Sequence, residues 1–149
     1  PVTSAQDMLE AVQSALPGTD ILIKAAAVAD YRPATVSQHK MKKGDGELSI
    51  PLSRTEDILR WVAEHRHPGL FVCGFSMETR DLIENSRAKL EKKHLDMIAA
   101  NSLNTEGAGF GVPTNVVTLL TPDGAEQLPL LGKDEVAARL LDAIEERRK

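Results

Sequence analysis

A chain of 149 residues with 42% apolar content can build one hydrophobic core, so a single domain over 1–149 is expected, and its formal charge of −4 argues against a general nucleic-acid binder. Its one cysteine, Cys73, excludes an intrachain disulfide framework and fits a reducing cytosol. The longest apolar run is far short of the ~20 residues a membrane span needs and nothing resembles a signal peptide, so the sequence reads as soluble, cytoplasmic and free of membrane.

The sequence opens almost directly into a helix. Thr3 or Ser4 offers a capping hydroxyl, and Met8, Leu9, Val12, Ala15 and Leu16 recur at helical spacing until Pro17 and Gly18 stop it. The apolar run at 21–28 predicts a buried strand with the small Ala25, Ala26 and Ala27 towards its carboxyl end. Residues 30–46 keep no sustained period and predict a long loop, and 47–52 a short extended arm. Thr55, Glu56 and Asp57 look like a helix start, a capping hydroxyl followed by first-turn acids, and the helix continues through Ile58, Leu59 and Val62 to about 65.

A second buried strand at 70–75, a helix over 81–93 and a short third strand at 96–100 come next. The glycine-rich loop at 107–111 precedes a hairpin, which runs over 116–121, turns at Pro122, Asp123 and Gly124, and returns through Leu128 and Leu130. A last amphipathic helix uses Val136, Leu140, Leu141 and Ile144, with Arg147, Arg148 and Lys149 suited to its C-terminal end. Strand and helix alternate three times before the hairpin. The fold class is therefore α/β: a Rossmann-like three-layer domain whose mainly parallel sheet ends in an antiparallel hairpin. Ligands in such sheets bind beyond the carboxyl ends of strands. Four segments should meet there: residues 25–30, the helix start at Glu56, Gly74 with Phe75, and Asn101.

Several residues at that edge could carry chemistry. Asp30, after a run of small residues, can accept hydrogen bonds from an amino or hydroxyl group of a flat ligand; a turn or cap aspartate would read the same. Lys40, Lys42 and Lys43 sit in the long loop, where ammonium groups on a flap beside Gly44, Asp45 and Gly46 could fold over a polyphosphate, although charge runs are more often solvated faces. Lys89 and Lys93 share a helix face, which suits an anion or simple exposure. Glu56 and Asp57 open a helix whose free N–H groups could meet a ligand, or merely complement its dipole. His39, His65, His67 and His94 lack metal-ligand spacing, and no dinucleotide, Walker A or nucleophile-elbow motif occurs. The residues alone reach an α/β domain whose two lysine clusters suit an anionic nucleotide.

Taken together, these segments resemble bacterial phosphopantothenoylcysteine synthetase, the C-terminal domain of the bifunctional phosphopantothenoylcysteine decarboxylase/synthetase. The resemblance rests on Ala25-Ala26-Ala27-Val28-Ala29-Asp30-Tyr31, on Lys40-Met41-Lys42-Lys43, and on Thr55-Glu56-Asp57-Ile58-Leu59. It continues through Gly74-Phe75 with Glu78-Thr79, the lysines at 89–93, Asp96-Met97-Ile98-Ala99-Ala100-Asn101, and Gly109-Phe110-Gly111 with Asn115, over roughly residues 5–145. It implies that cytosine and ribose lie against Lys24, Ala25, Ala26 and Asp30, with Phe75 nearby and Glu56, Asp57, Ile58 and Leu59 lining the nucleotide. Lys40 would reach the triphosphate from the flap and stabilise charge in catalysis, with Lys89 and Lys93 approaching from the other side.

The implied reaction is a CTP-dependent ligation in coenzyme A biosynthesis. The carboxylate of 4'-phosphopantothenate attacks the α-phosphate to give an acyl-cytidylate and pyrophosphate, and cysteine then displaces CMP. Mg²⁺ would be held by phosphate oxygens and water, with no protein metal ligands. A homodimer with the arm at 47–52 crossing to the partner is implied, as is fusion to or association with a flavin-dependent decarboxylase. Family members begin with a glycine-rich strand–turn–helix segment containing G-P-T-x-E and S-S-G-x-M-G stretches, which do not occur here. The resemblance therefore implies an N-terminally truncated synthetase domain that binds CTP weakly or not at all and does not turn over alone. The alternatives are a nicotinamide-dependent oxidoreductase, a non-catalytic nucleotide- or partner-binding module, and a synthetase using ATP.

Overall fold

A computed structural model describes every residue except 44–45, 103–104, 106 and 110. Helix α1 (Ala5–Ala15) leads to strand β1 (Ile21–Lys24), and strands β2 (Tyr31–Pro33) and β3 (Leu52–Arg54) form a separate antiparallel ribbon. Then come α2 (Ile58–His65), β4 (Phe71–Glu78), α3 (Leu82–Lys92) and β5 (Met97–Ser102). The chain ends with β6 (Thr114–Asn115), β7 (Val117–Thr121), β8 (Gly124–Gln127), β9 (Leu131–Gly132) and α4 (Lys133–Arg147). The main sheet has the order β1-β4-β5-β7-β8. Its first three strands are parallel, and β7 runs antiparallel to both β5 and β8, which is the expected C-terminal hairpin. β6 and β9 form a small antiparallel pair beside it.

Alternation along the central strands sends side chains to two cores. Val72, Ile98, Ala100 and Leu120 pack with Leu9 of α1, Leu16 at its C-cap, Val62 of α2 and Leu90 of α3. Phe71, Cys73, Met97, Ala99 and Leu119 pack with Val136, Leu140 and Ile144 of α4. Three layers result, as the alternation of elements requires. Both faces of β4 and β5 are covered over their first halves, and there Phe71-Val72-Cys73 and Met97-Ile98-Ala99-Ala100 are continuous apolar runs without a polar face. Arg66 ties down the end of this sheet that lies away from the ligand edge. It donates to the carbonyls of Leu70 and His94 and to Asp96 Oδ2 at 2.8 Å, while Val72 N–H donates to the same carboxylate oxygen at 2.7 Å.

Several sequence expectations need correction. The run at 21–28 leaves the sheet after Lys24, because register with β4 holds only from Ile21 opposite Phe71 to Lys24 opposite Gly74; β1 is half-buried and Ala25, Ala26 and Ala27 are exposed. The loop at 30–46 begins as a strand, Tyr31–Pro33 pairing with Leu52–Arg54, and Ala34 N–H donates to Pro51 O, so the last two residues of the arm, Pro51 and Leu52, pair back on their own chain. Three-residue strands leave too little period to read. The cap of α2 is Asp57, whose Oδ1 accepts from Arg60 N–H at 3.2 Å. The Thr55 hydroxyl donates to Ala29 O instead, at 2.5 Å, so Glu56 and Asp57 precede the first turn rather than occupy it. Strands β4 and β5 also run further than expected, to Glu78 and Ser102. Leu141 is 53% exposed, one position off the stripe that buries Leu140. At the first helix Ser4 is the capping hydroxyl, in a reciprocal pair with Asp7.

Candidate functional site

The carboxyl ends of β1 and β4 open onto a cavity of about 260 Å³, bounded by the start of α2 and the side of α3. Its ionisable lining is Lys24, Asp30, Glu56, Asp57, Lys89 and Lys93, and its apolar part includes Ile58, Leu59 and Phe75. Each residue arrives for a local reason. Lys24 is the last residue of β1, Asp57 caps α2, and Lys89 in the last turn of α3 lies one turn before Lys93 at its C-cap. Thr55, bonded to Ala29 O, fixes the chain after Val28 against the approach to α2.

The cations are already engaged. Lys93 Nζ donates to Asp57 Oδ2 at 2.5 Å, Lys89 Nζ to Glu78 Oε1 at 2.6 Å, and Lys24 Nζ to Ala26 O at 3.0 Å. Burial, followed by the neighbouring positive charge of Lys93, pushes the Lys24 ammonium below its ordinary pKa, and the charges of Asp57 and Asp30 oppose that shift. Burial works against ionisation of Asp57, but the Lys93 hydrogen bond, the Arg60 N–H and the charges of Lys93 and Lys24 together hold it below the ordinary carboxylate value. The Lys89 hydrogen bond lowers Glu78 against its partial burial, with help from Ser76 and Asn85. Three lysines and three carboxylates balance on the cavity wall. A polyphosphate would need positive charge from outside that lining.

A second cavity of about 610 Å³ lies on the α4 side of the same edge, with Ala25, Ala26, Met77, Asn101 and Lys133 on its wall. Phe75, 38% exposed, lines both cavities and stands between them. Thus Lys24, Asp30, Glu56, Asp57, Ile58, Leu59, Phe75, Lys89 and Lys93 come together in the first cavity. Ala25, Ala26 and Asn101 face the second. Lys40, Lys42 and Lys43 are exposed and line neither. Gly44 and Asp45, which the sequence places beside the lysines of the expected flap, lie outside the described residues, as does Phe110. Among the described residues no group of three or more His, Cys, Asp or Glu side chains could hold a metal ion, and no helix is long and apolar enough to cross a membrane.

Residues 1–147 match the family described as the DNA/pantothenate metabolism flavoprotein C-terminal domain. The chain belongs to that family. It is 47% identical over 145 residues to the coenzyme A biosynthesis bifunctional protein CoaBC of Bacillus subtilis, covering 97% of this chain and 36% of that protein. Identity to the corresponding protein of Mycobacterium tuberculosis is 40% over 154 residues, with 96% of this chain and 37% of that one covered. The chain thus spans little more than a third of the length of these curated relatives. The crystal structure of a CoaBC C-terminal domain superposes with a TM-score of 0.77 at 39% identity, covering 98% of this chain and 63% of that one. A Cab2 mutant solved in complex with phosphopantothenate-cysteine shares the fold at a TM-score of 0.71 and 20% identity, covering all of this chain and 54% of that one.

In this domain, two polar groups carry no sign of a site role in the sequence. Ser76 and Glu78 continue β4 past the expected strand end and bond Lys89 from across the strand–helix crossover. Glu78 and Lys89 lie eleven positions apart, so no helical or strand period links them. The only signal was that Glu78 stands in the Gly74-Phe75…Glu78-Thr79 pattern, which names a residue without a task.

Proposed function

We propose that this domain supplies the CTP-binding part of a phosphopantothenate–cysteine ligase of coenzyme A biosynthesis. The observation that carries the reading is the convergence of Lys24, Lys89 and Lys93 on one cavity beyond the parallel strands, beside Phe75 and Asp30. Phe75 offers a face on which a pyrimidine can pack. Asp30 offers acceptors for the cytosine amino group or the ribose hydroxyls. The exposed Ala25 and Ala26 let a flat ligand approach the backbone at the end of β1. Lys89 and Lys93 receive phosphate oxygens.

Because the lining charges balance, the reading needs further cations, and Lys40 with Lys42 and Lys43 on the exposed segment is the source. Lys40 neutralises charge developing on the leaving pyrophosphate. The carboxylate oxygen of 4'-phosphopantothenate forms a bond to the α-phosphorus as the bond to the departing pyrophosphate breaks. The cysteine nitrogen then bonds to the acyl carbon, CMP leaves with the oxygen electron pair, and the amine gives up a proton. Mg²⁺ bound through phosphate oxygens and water would lower the charge on the triphosphate.

The same reading makes the protein a cytoplasmic homodimer, associated with a decarboxylase activity. Support for the dimer is the exposed apolar side chains on the ribbon and the segment before β3, with Tyr31, Leu48, Ile50 and Leu52 open to solvent. A thermal-shift titration with CTP, ATP and NAD, each with Mg²⁺, tests the nucleotide assignment, since a ligand that binds only the folded state raises the melting temperature with its concentration. A CTP-selective rise that weakens in Lys40→Gln is expected. A rise with NAD alone overturns the assignment; no rise with any of the three leaves the family membership standing and takes nucleotide binding away from these residues on their own; an equal or larger rise with ATP overturns the cytidine preference.

A further inference from the structure

We infer that Glu78, through a closed triangle with Ser76 and Lys89, is a positioning residue that fixes the Lys89 ammonium for phosphate before any ligand arrives. The inference rests on the nucleotide reading above. Ser76 and Glu78 are two apart on β4 and so project to the same face, the one covered by α3. Lys89 Nζ donates to Glu78 Oε1 at 2.6 Å and to Ser76 Oγ at 3.2 Å, while the Ser76 hydroxyl donates to Glu78 Oε1 at 3.1 Å. Asn85 Nδ2 reaches the other carboxylate oxygen at 3.4 Å. Each corner is held by the other two, and the carboxylate is also tethered from α3.

The arrangement does more than pair two charges. Ser76 is buried and the Glu78 side chain is only 16% exposed, whereas the Lys89 side chain is 48% exposed and lines the cavity. A lysine ammonium has three N–H donors. Two are taken by Ser76 and Glu78, and among the described residues none accepts the third, which is left for the cavity. A long, flexible side chain loses rotamer freedom whenever it binds an anion, and ordering it beforehand removes that cost from the binding step. Lys93, the C-cap of α3, is held in a parallel way by Asp57, so Lys89 and Lys93 are drawn to different elements instead of competing for one.

Charge alone and positioning predict opposite signs. Glu78 is an anion beside a site for anions, so deleting it should strengthen polyphosphate binding if Coulomb repulsion dominates. If its task is to hold Lys89, deleting it should weaken that binding although net positive charge increases. The test measures CTP and CMP affinities by calorimetry for the unmodified chain, Glu78→Ala, Glu78→Gln, Lys89→Met and the double variant Glu78→Ala/Lys89→Met. In parallel, ¹H–¹⁵N spectra of the lysine ammonium groups follow the ligand-free proteins.

Positioning requires a hydrogen-bonded Lys89 ammonium signal in the unmodified chain that is retained in Glu78→Gln and lost in Glu78→Ala. CTP affinity should fall roughly 3–10-fold in Glu78→Ala, stay within about twofold in Glu78→Gln, and fall no further when Glu78→Ala is added to Lys89→Met. CMP affinity should change little. If Glu78→Ala fails to fold by circular dichroism, Ser76→Ala opens the same triangle and is read in its place. An unchanged or raised CTP affinity in the folded variant overturns the inference, as does a Lys89 signal indifferent to Glu78. An ordered Lys89 signal in a chain that binds no nucleotide overturns the functional reading instead, and removes the ligand from this assignment while leaving the triangle.

Discussion

Lys93 Nζ stands 2.5 Å from Asp57 Oδ2, while Oδ1 of the same carboxylate caps α2 at Arg60 N–H. One side chain therefore joins the start of α2 to the far turn of α3 across the mouth of the candidate site. Cap and ion pair can be separated by substitution. Asp57→Asn keeps a capping acceptor and loses the charge, whereas Asp57→Ala loses both. The pair is substantially exposed, so its own contribution is at most about 1 kcal/mol, and a lost cap typically costs ~1 kcal/mol. Urea unfolding should place Asp57→Ala about 1–2 kcal/mol below the unmodified chain and Asp57→Asn within about 1 kcal/mol of it. Equal losses for the two variants would say that the cap contributes nothing.

The same carboxylates set an acid limit. Asp57 and Glu78 both titrate below their ordinary values of 3.8 and 4.5 in the folded chain. The unfolded chain therefore binds more protons in this range, and stability rises with pH there. The contribution is fully present above the ordinary values and is lost as pH falls through them to the lower folded values. Glu78, the less exposed of the two, should dominate. Urea midpoints between pH 7 and pH 3 should fall less steeply for Glu78→Gln than for the unmodified chain below about pH 4.5. Parallel curves would remove Glu78 from the acid response.

Cys73 offers a probe of global opening. The thiol is fully buried in the α4-side core, and that burial pushes its pKa up to about 12. A thiolate is needed for reaction with disulfide reagents, so neither access nor ionisation favours labelling of the native chain. Labelling at pH 8 should be slow without denaturant and should track the unfolding transition in urea. Fast stoichiometric labelling in buffer would show a local opening between β4 and α4.

Much of the architecture was legible because β4, β5 and α4 carry their environment in their period: two-sided burial gives continuous apolar strands, and one-sided burial gives a stripe. Where a single neighbour decides the outcome, the period fails. Residues 25–27 are apolar yet exposed, because β1 pairs only with β4 among the described residues and that register stops at Lys24. Thr55 reads as a cap and is a tether, since its partner Ala29 lies 26 positions earlier. In the site, the lysines showed through their spacing on α3, but the groups that hold them come from other elements. The stripe of α4 gives a direct check of one misread residue. Leu140 is 4% exposed and Leu141 53%. Leu140→Ala should cost ~2–4 kcal/mol by denaturant unfolding and Leu141→Ala less than about 0.5 kcal/mol. Comparable costs would restore Leu141 to the core.

Lys24 puts stability and binding in opposition. Its ammonium is partly desolvated at the end of β1, with Lys93 adding repulsion, and its firm partner is a backbone carbonyl, Ala26 O. A lysine whose folded pKa lies below its ordinary 10.5 is one whose charged form the fold disfavours. Between the folded and ordinary values the unfolded chain binds more protons, so stability should rise with pH there; below both, the cost is present in full. Lys24→Met keeps the length and apolar stem and removes that cost. It should stabilise the chain at pH 7 and flatten the rise in urea midpoint as pH climbs towards 10.5. If the cavity binds a polyanion, the same variant should show a smaller thermal shift with CTP than the unmodified chain despite its higher baseline melting temperature. A less stable variant would mean that the Lys24–Ala26 contact outweighs desolvation, and an undiminished CTP response would take Lys24 out of the binding site.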